Sequence, residues 1–316
     1  MQKFRYLFRK VDGREILLQY RRAHVLLFSL IIASLLGLKK KSLEIVRLAV
    51  NNRILCKMRK QYSPFINSYL KSYADEIQHT HSRKVWVCWL QGIENAPPVV
   101  KKCFQSLQDN IVDREIVFLT EKNLKKYVSF PKFIQDKIDK GIIQGAHMTD
   151  LLRLELLNKY GGTWIDATVY CSGNSYPEYM LDSNLFLFQN LKPGLDGHCT
   201  CISNWFMTAY SGNQILLLTQ ALLYEYWKRH DKLIDYYIFH DFFQLAIEAY
   251  PEVWDEVIPF SNSTSHILLL RMFKRYDENI WKAIKDEVCF HKLTYKFKKE
   301  ETWEKQTYYD VIIQDS

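Results

Sequence analysis

The sequence predicts an α/β chain: a mostly parallel sheet covered by helices, behind a basic helical N-terminal segment. Three observations predict it. Beyond residue 84, short runs rich in Val, Trp, Phe and Ile alternate with helix-period segments, the pattern of strands joined by crossover helices. Charge divides the chain. Residues 1–84 carry 18 Lys+Arg against 5 Asp+Glu and the remainder 25 against 30, although the whole sums to +8. Finally, a hydrophobic content of 48% with 15% aromatics supplies a sizeable core and excludes a disordered chain. We therefore expect a basic helical segment over residues 1–83 and one α/β domain over 84–316.

In the N-terminal segment, residues 23–38 (AHVLLFSLIIASLLGL) are almost wholly apolar and lie between Arg21-Arg22 and Lys39-Lys40-Lys41. Sixteen helical residues reach roughly 24 Å, short of a hydrocarbon core of about 30 Å. Basic residues on both sides also disfavour a span, and the long charged leader without a small-residue cleavage site disfavours a secretory signal. An in-plane or re-entrant helix on an anionic membrane surface fits better, placing the protein at the cytoplasmic face of the cell membrane. The plainer reading is a buried helix of a helical subdomain. Nucleic acid is not expected as a partner, because no recognition-helix, RNP or zinc-finger pattern accompanies the charge.

The body begins with VWVCWL (85–90), a strand closed by Gln91-Gly92. Pro97-Pro98 opens a helix to about Gln108. EIVFLT (115–120) is a second strand, Glu121–Val128 reads as a short helix, and Pro131 opens another that ends at Gly141. A helix over 145–159 carries Leu151, Leu152, Leu154, Leu156 and Leu157, with Gly161 placed as its C-terminal stop. TWIDATVY (163–170) then reads as a third strand. LFLF (185–188) and residues 199–209 are further strands, and 213–229 and 233–250 amphipathic helices. The tail holds SNSTSH (261–266) and CFHKLTYK (289–296).

Ligands of such sheets gather beyond the carboxyl ends of the strands, which singles out the Gln91-Gly92 turn and Asp166. Asp166 is suited to a sugar hydroxyl or to Mg2+ or Mn2+, whose preferred ligands are oxygens; an ordinary turn aspartate is the plain alternative. His147, Asp150 and Arg153 recur at steps of three and share one helix face. There an arginine and a carboxylate suit a diphosphate and a sugar hydroxyl, or else form a solvated ion pair of little worth. Trp86 and Trp89 are three apart and face opposite sides of a strand, so one has the chance to stack on a base; core packing of both is the default. His240-Asp241 and His291-Lys292 are polar pairs in apolar surroundings, where satisfied core histidines are the commoner case.

Other chemistries find little support. No GxGxxG after a strand, GxxxxGK[ST], HExxH or GxSxG occurs. Seven cysteines without a CxxC pair read as reduced, buried thiols.

The run AHMTDLLRLELLNKYGGTWIDATV resembles the core of bacterial capsular polysaccharide synthesis proteins, which are similar to glycosyltransferase family 32, the DXD-type sugar transferases. VWVCWLQGIENAPPVVKKCFQSL resembles the family's first strand and helix, and LIDYYIFHDFF and HKLTYK its C-terminal landmarks, so the likeness covers about residues 84–296. It implies a GT-A-like nucleotide-sugar-binding domain that transfers a sugar, with retention, from a nucleotide-diphosphate sugar (a UDP-sugar first) to a lipid-linked or oligosaccharide acceptor of a capsular glycan. A non-catalytic scaffold with a decayed donor site is the alternative.

Carried onto this chain, the likeness assigns donor binding to Asp150, Arg153, the Tyr160-Gly161-Gly162 turn, Asp166, Thr168 and Lys292. Trp86, Trp89 and Gln91 fall where the nucleotide base would lie. Asp166 matches the first Asp of DXD, but the second is Thr168, a neutral hydroxyl. The metal expectation, Mn2+ or Mg2+ on Asp166 with His291, is therefore weakened. Arg153 and Lys292 are the alternative counter-charges for a leaving diphosphate. Asp241 is the candidate for acceptor contact, so that Asp166, Arg153 and Asp241 form the expected catalytic set.

Overall fold

The computed structural model describes residues 13–72, 80–191 and 200–314. The first twelve residues of the basic segment and Cys199 lie outside the described residues. Three helices come first: α1 (Gly13–Arg22), α2 (Leu26–Leu36) and α3 (Lys40–Ser72). The apolar run is thus not one long helix. Its first residues form a turn in which His24 adopts φ 55°, and only eleven residues make α2.

Next come β1 (Lys84–Cys88), α4 (Pro98–Asn110), β2 (Glu115–Leu119), α5 (Lys132–Asp139), α6 (Ala146–Tyr160) and β3 (Gly162–Ile165). They are followed by β4 (Val169–Cys171), β5 (Leu185–Gln189), β6 (Ile202–Ala209), α7 (Gln214–Arg229) and α8 (Ile238–Ala249). Three short helices precede α9 (Glu278–Glu287), β7 (Phe290–Lys292) and α10 (Tyr308–Ile313). The expected helix over Glu121–Val128 is only a 3-10 turn at Leu124–Lys126, held by Asn123, whose side chain accepts from the Thr120 amide. The helix expected from residue 233 starts at Ile238, because Asp235 instead accepts from the Tyr237 amide and turns the chain.

The main sheet has the order β2-β1-β3-β6-β5. β1 pairs in parallel with β2 and β3, while β6 is antiparallel to both β3 and β5. Four of the five strands therefore run one way, the mostly parallel mixed α/β sheet that the alternation predicts. Alternate side chains feed two apolar layers. Val85, Val87, Ile165, Phe186 and Phe206 pack with α4 on one side. Trp86, Trp164, Leu187 and Met207 pack with α6, α7 and α8 on the other. Strands buried on both faces explain why their sequences read as continuous apolar runs.

The third strand departs from expectation. TWIDATVY is not one strand: β3 ends at Ile165, a turn closes with the Val169 amide on the Asp166 carbonyl, and β4 leaves to pair with β7 in a separate two-stranded sheet. Asp166 sits at that parting, its amide held by the Trp205 carbonyl at 2.8 Å.

The glycine turn before β3 is fixed by close approach. Gly162 has φ +94°, and a Cβ there would stand 2.3 Å from the Lys84 carbonyl oxygen; Gly161, at φ +68°, would meet three backbone atoms at 3.0 Å. Only glycine lets α6 run so tightly into the sheet beside β1.

The N-terminal helices share the core of the body. Val46, Val50, Ile54, Met58 and Tyr62 of α3 are buried with residues of α7 and α8, and Tyr62 meets Phe242 edge-on at 4.8 Å.

Candidate active site

The carboxyl ends of β1 and β3 and the start of β4 converge on one polar cluster. Its centre is Asp166. Oδ1 accepts from Trp164 Nε1 at 2.9 Å, with Arg153 3.5 Å away. Oδ2 accepts from Lys292 Nζ at 2.7 Å, and the same ammonium donates to Thr168 Oγ1 at 2.7 Å. Burial pushes the Asp166 carboxyl up, but Lys292 and Arg153 outweigh it and hold the group below the ordinary carboxylate range.

Arg153 ties the cluster to α6. It is 4% exposed, lies 3.5 Å from both Asp150 and Asp166, and donates to the Asn204 carbonyl. Its guanidinium lies over the rings of Trp164 and Phe239, at 5.1 and 5.8 Å. Asp150 also accepts from the Asn204 side chain at 2.9 Å, and burial raises its carboxyl to about 6 despite Arg153. α6 is buried on both sides, so the solvated ion pair that helical spacing allowed is not what forms. His147 lies 3.9 Å from Asp150, but burial lowers its imidazole to about 4; at neutral pH it is uncharged and the contact is not an ion pair.

The remaining candidates divide. Trp86 is fully buried, donates to the Gly161 carbonyl at 2.9 Å, and packs on Tyr127 and Tyr160; it braces the glycine turn and is closed to a base. Trp89, just past β1, is half-buried edge-on against Tyr295 at 5.2 Å, and its indole N–H has no partner among the described residues. Gln91 is exposed on the next turn.

Strand alternation separates His291 from Lys292. Lys292 lies opposite Val169 and reaches the Asp166 turn, whereas His291 lies opposite Tyr170 on the other face, bonded to Ser172 at 2.9 Å and tilted against Trp281 with ring centres 5.4 Å apart. Burial lowers its imidazole to about 3. The expected Asp166–His291 pair is therefore not assembled, because a two-residue periodicity turns the imidazole into the core. Asp241 is also displaced. It is 3% exposed and pushed well above the carboxylate range, by burial first and by Asp235 second; a carboxyl so enclosed has no surface to offer an acceptor.

A divalent ion finds a poor donor set here. Asp166, with both oxygens engaged, faces a neutral hydroxyl and two cationic side chains, and Asp150, the cluster's other carboxylate, is occupied by Arg153 and the Asn204 amide. Among the described residues no group of three or more His, Cys, Asp and Glu side chains comes together. Mg2+ and Mn2+ require several oxygen ligands.

Sequence reasoning missed Asn204, Tyr236 and His266. Asn204 links Asp150 to Arg153 from β6. Tyr236, 54% exposed, meets His147 at 5.4 Å and rims the cluster. His266 lies 6.1 Å from Trp205, close enough to Lys292 for that charge to add to the burial that lowers its imidazole. Tyr236 and His266 stand in segments already singled out, LIDYYIFHDFF and SNSTSH, but nothing local marks them as site residues; the β6 pairing or a loop brings each in.

The model of the capsular polysaccharide synthesis protein family matches residues 37–312. This chain belongs to that family. The match spans the helix α3, both sheets and every residue of the cluster. Among curated proteins, the chain is 26% identical over 166 residues to the O-glycosyltransferase braB of Annulohypoxylon truncatum, a match covering 47% of this chain and 38% of the relative. The chain thus spans well under half of that relative's length. Among solved structures it is similar to PaToxG Glycosyltransferase, with 14% identity, a TM-score of 0.37, and coverage of 86% of this chain and 98% of the other.

Proposed function

We propose that this member of the capsular polysaccharide synthesis family is a glycosyltransferase. It moves a sugar, with retention, from a nucleotide-diphosphate sugar, UDP-sugars first, to a lipid-linked or oligosaccharide acceptor of a capsular or exopolysaccharide glycan. The observation that carries the reading is the Asp166 cluster: a carboxylate flanked by Lys292 and Arg153 at the carboxyl ends of a mostly parallel sheet, where ligands of such sheets bind. The family match and the glycosyltransferase named among its relatives support it. In this reading Asp166 accepts from a donor-sugar hydroxyl, Lys292 meets the diphosphate, and Arg153 fixes both carboxylates. Trp89 offers the exposed part of its half-buried ring on the base side. Among the described residues no side chain stands ready as a nucleophile, and departure of the diphosphate on the acceptor's own side accounts for retention. Leaving-group stabilisation is then the main catalytic contribution.

The test is a donor screen by mass spectrometry on the full chain with short glycan acceptors, repeated with Asp166→Asn. Turnover of one nucleotide sugar that falls at least about a hundredfold in the variant is expected, the loss of roughly 3 kcal/mol typical of a preorganised polar contact. Undiminished turnover in the variant would remove Asp166 from the reading. A scaffold with a decayed donor site, which Thr168 favours, predicts that no nucleotide diphosphate raises the melting temperature.

The reading also places the protein on a membrane. α2 packs through Phe28, Ser29, Ile32 and Ala33, and turns Leu27, Leu30, Ile31 and Leu35 to solvent at 73, 54, 49 and 76% exposure. No described helix is long and apolar enough to cross a bilayer. Lys39, Lys40 and Lys41, all exposed, adjoin this face. A second copy would bring like charges together, so the occupant we propose is an anionic bilayer, with α2 lying in its plane. The full chain should sediment with phosphatidylglycerol-containing vesicles and not with purely zwitterionic ones, and Leu27→Asn with Leu35→Asn should release it. Concentration-dependent dimerisation abolished by the same changes would identify a second copy instead and overturn the membrane assignment.

A further inference from the structure

The three atoms Asp166 Oδ2, Lys292 Nζ and Thr168 Oγ1 form a chain with 2.7 Å at each link. The second position of the DXD-like motif, where a carboxylate would hold a metal, carries a hydroxyl, and the space between the two positions is filled by an ammonium. The arrangement is built rather than incidental. Lys292 is paired in register with Val169, and the Leu293 amide donates to the Thr168 carbonyl at 2.9 Å, pinning β7 to the turn. The lysine side chain is only 19% exposed. An ammonium has three N–H groups; two are directed at Asp166 and Thr168, and the third is left for a ligand oxygen. Arg153 holds Asp166 from the other side, so an incoming divalent ion would meet a second fixed cation and a carboxylate with both oxygens already engaged.

We propose that the Lys292 ammonium takes the place of the divalent cation in this site, and that the nucleoside diphosphate is bound and released without metal. The inference rests on the glycosyltransferase reading. In the transfer step the bond between the anomeric carbon and the diphosphate oxygen breaks, and its electron pair stays with the diphosphate. A new bond forms from the acceptor hydroxyl oxygen to the same carbon. The hydroxyl proton passes to the departing diphosphate oxygen, giving a glycoside and a nucleoside diphosphate. The negative charge that grows on the leaving oxygen is met by Lys292 through its third N–H. Lys292 is thus a catalytic residue beside Asp166, and Arg153 a positioning residue acting through Asp166. Thr168 follows from this assignment: a second carboxylate would draw the ammonium away from the diphosphate, whereas a hydroxyl accepts one N–H and leaves the charge available.

The experiment measures binding of UDP, GDP and ADP to the full chain by calorimetry, in EDTA and in millimolar Mn2+. One of the three is expected to bind with Kd values that agree within about twofold in the two buffers. Lys292→Ala should weaken that binding in EDTA by about ten- to a hundredfold, the worth of a hydrogen bond to a charged group, while Lys292→Arg retains most of it. The pair Thr168→Asp with Lys292→Ala should bind better in Mn2+ than in EDTA by at least about tenfold, because it restores the second carboxylate and removes the competing cation. Binding by the unaltered chain that EDTA abolishes and Mn2+ restores would overturn the proposal and leave the glycosyltransferase reading standing. Failure of every nucleoside diphosphate in both buffers would overturn the reading itself and this proposal with it. The comparison on the unaltered chain needs no variant to fold.

Discussion

Replacing Arg153 by methionine removes the cation that faces both Asp150 and Asp166 while keeping most of the side-chain volume over Trp164 and Phe239. Breaking a buried ion pair by deleting one partner typically costs about 3–5 kcal/mol, because the other charge is left without compensation. Two features of this site lower that figure. Asp166 keeps Lys292 at 2.7 Å and is 27% exposed, so its share is partly screened. Asp150, with its carboxyl already raised to about 6, can take up a proton instead of remaining an isolated anion. Each pH unit between that value and neutrality costs about 1.4 kcal/mol, which limits the penalty carried by Asp150 to roughly that amount. Loss of the bond to the Asn204 carbonyl adds about 1 kcal/mol. The expected destabilisation is therefore about 2–3 kcal/mol near neutral pH.

Urea unfolding followed by tryptophan fluorescence measures it, since Trp164 and Trp86 lie within this layer. The cost should shrink by about 1 kcal/mol at about pH 5, where Asp150 is protonated in either protein. Combining Arg153→Met with Asp150→Asn should recover about 1–2 kcal/mol as coupling, because the amide keeps its bond from Asn204 without a charge to be stranded. A cost below about 0.5 kcal/mol, or one identical at both pH values, would refute the claim that Arg153 compensates Asp150.

Three further outcomes are expected. Gly162→Ala should cost at least about 3 kcal/mol by the same unfolding assay, since its Cβ would stand 2.3 Å from the Lys84 carbonyl oxygen at φ +94°; Gly173→Ala, with open space around it, should stay within about 0.5 kcal/mol. For Asp150 the folded carboxyl lies above its ordinary value, so the folded state binds the extra proton and stability falls as pH rises from about 4 through about 6. Asp150→Asn should flatten that part of the pH–stability curve by on the order of 2–3 kcal/mol, and an unchanged slope would contradict the assigned shift. Trp89→Ala removes the half-buried ring offered to the base, so nucleoside diphosphate binding should weaken by about three- to tenfold in calorimetry; unaltered binding would take Trp89 out of the site.

The elements whose order depends on local pattern were legible in the sequence. Val85–Cys88, Glu115–Leu119 and the helix ending at Tyr160 were set by apolar runs and by Gly161 at a position that only a left-handed residue fills well. What local pattern could not give was the break after Ile165. Thr168, Val169 and Tyr170 have the β propensity of Gly162–Ile165, and nothing nearby says that their partner is β7, more than a hundred residues on. The same remoteness hid Asn204, which reaches α6 only because β6 runs antiparallel beside β3. Trp86 and Trp89 were correctly separated by strand alternation, but the donor that mattered to the fold, Trp86 Nε1 on the Gly161 carbonyl, required the glycine turn to be seen beside β1.

The His291-Lys292 pair shows how much chemistry rests on one register. In β4–β7 the partners are Val169 with Lys292 and Tyr170 with His291, and successive side chains point to opposite faces. A slip of one residue would carry the imidazole to Asp166 and the ammonium into the core, creating the histidine–carboxylate pair of a metal site. Three contacts oppose the slip: the Leu293 amide on the Thr168 carbonyl, the Ser172 hydroxyl at His291 Nε2, and the packing of His291 against Trp281. A slipped lysine would lose Asp166 and Thr168 together and enter an apolar layer without a partner, which is costlier than burying a neutral imidazole. The register is therefore held by the same desolvation balance that leaves an ammonium, and not an imidazole, at the carboxylate. Composition alone showed a polar pair in apolar surroundings; the pairing decides which member faces the substrate side.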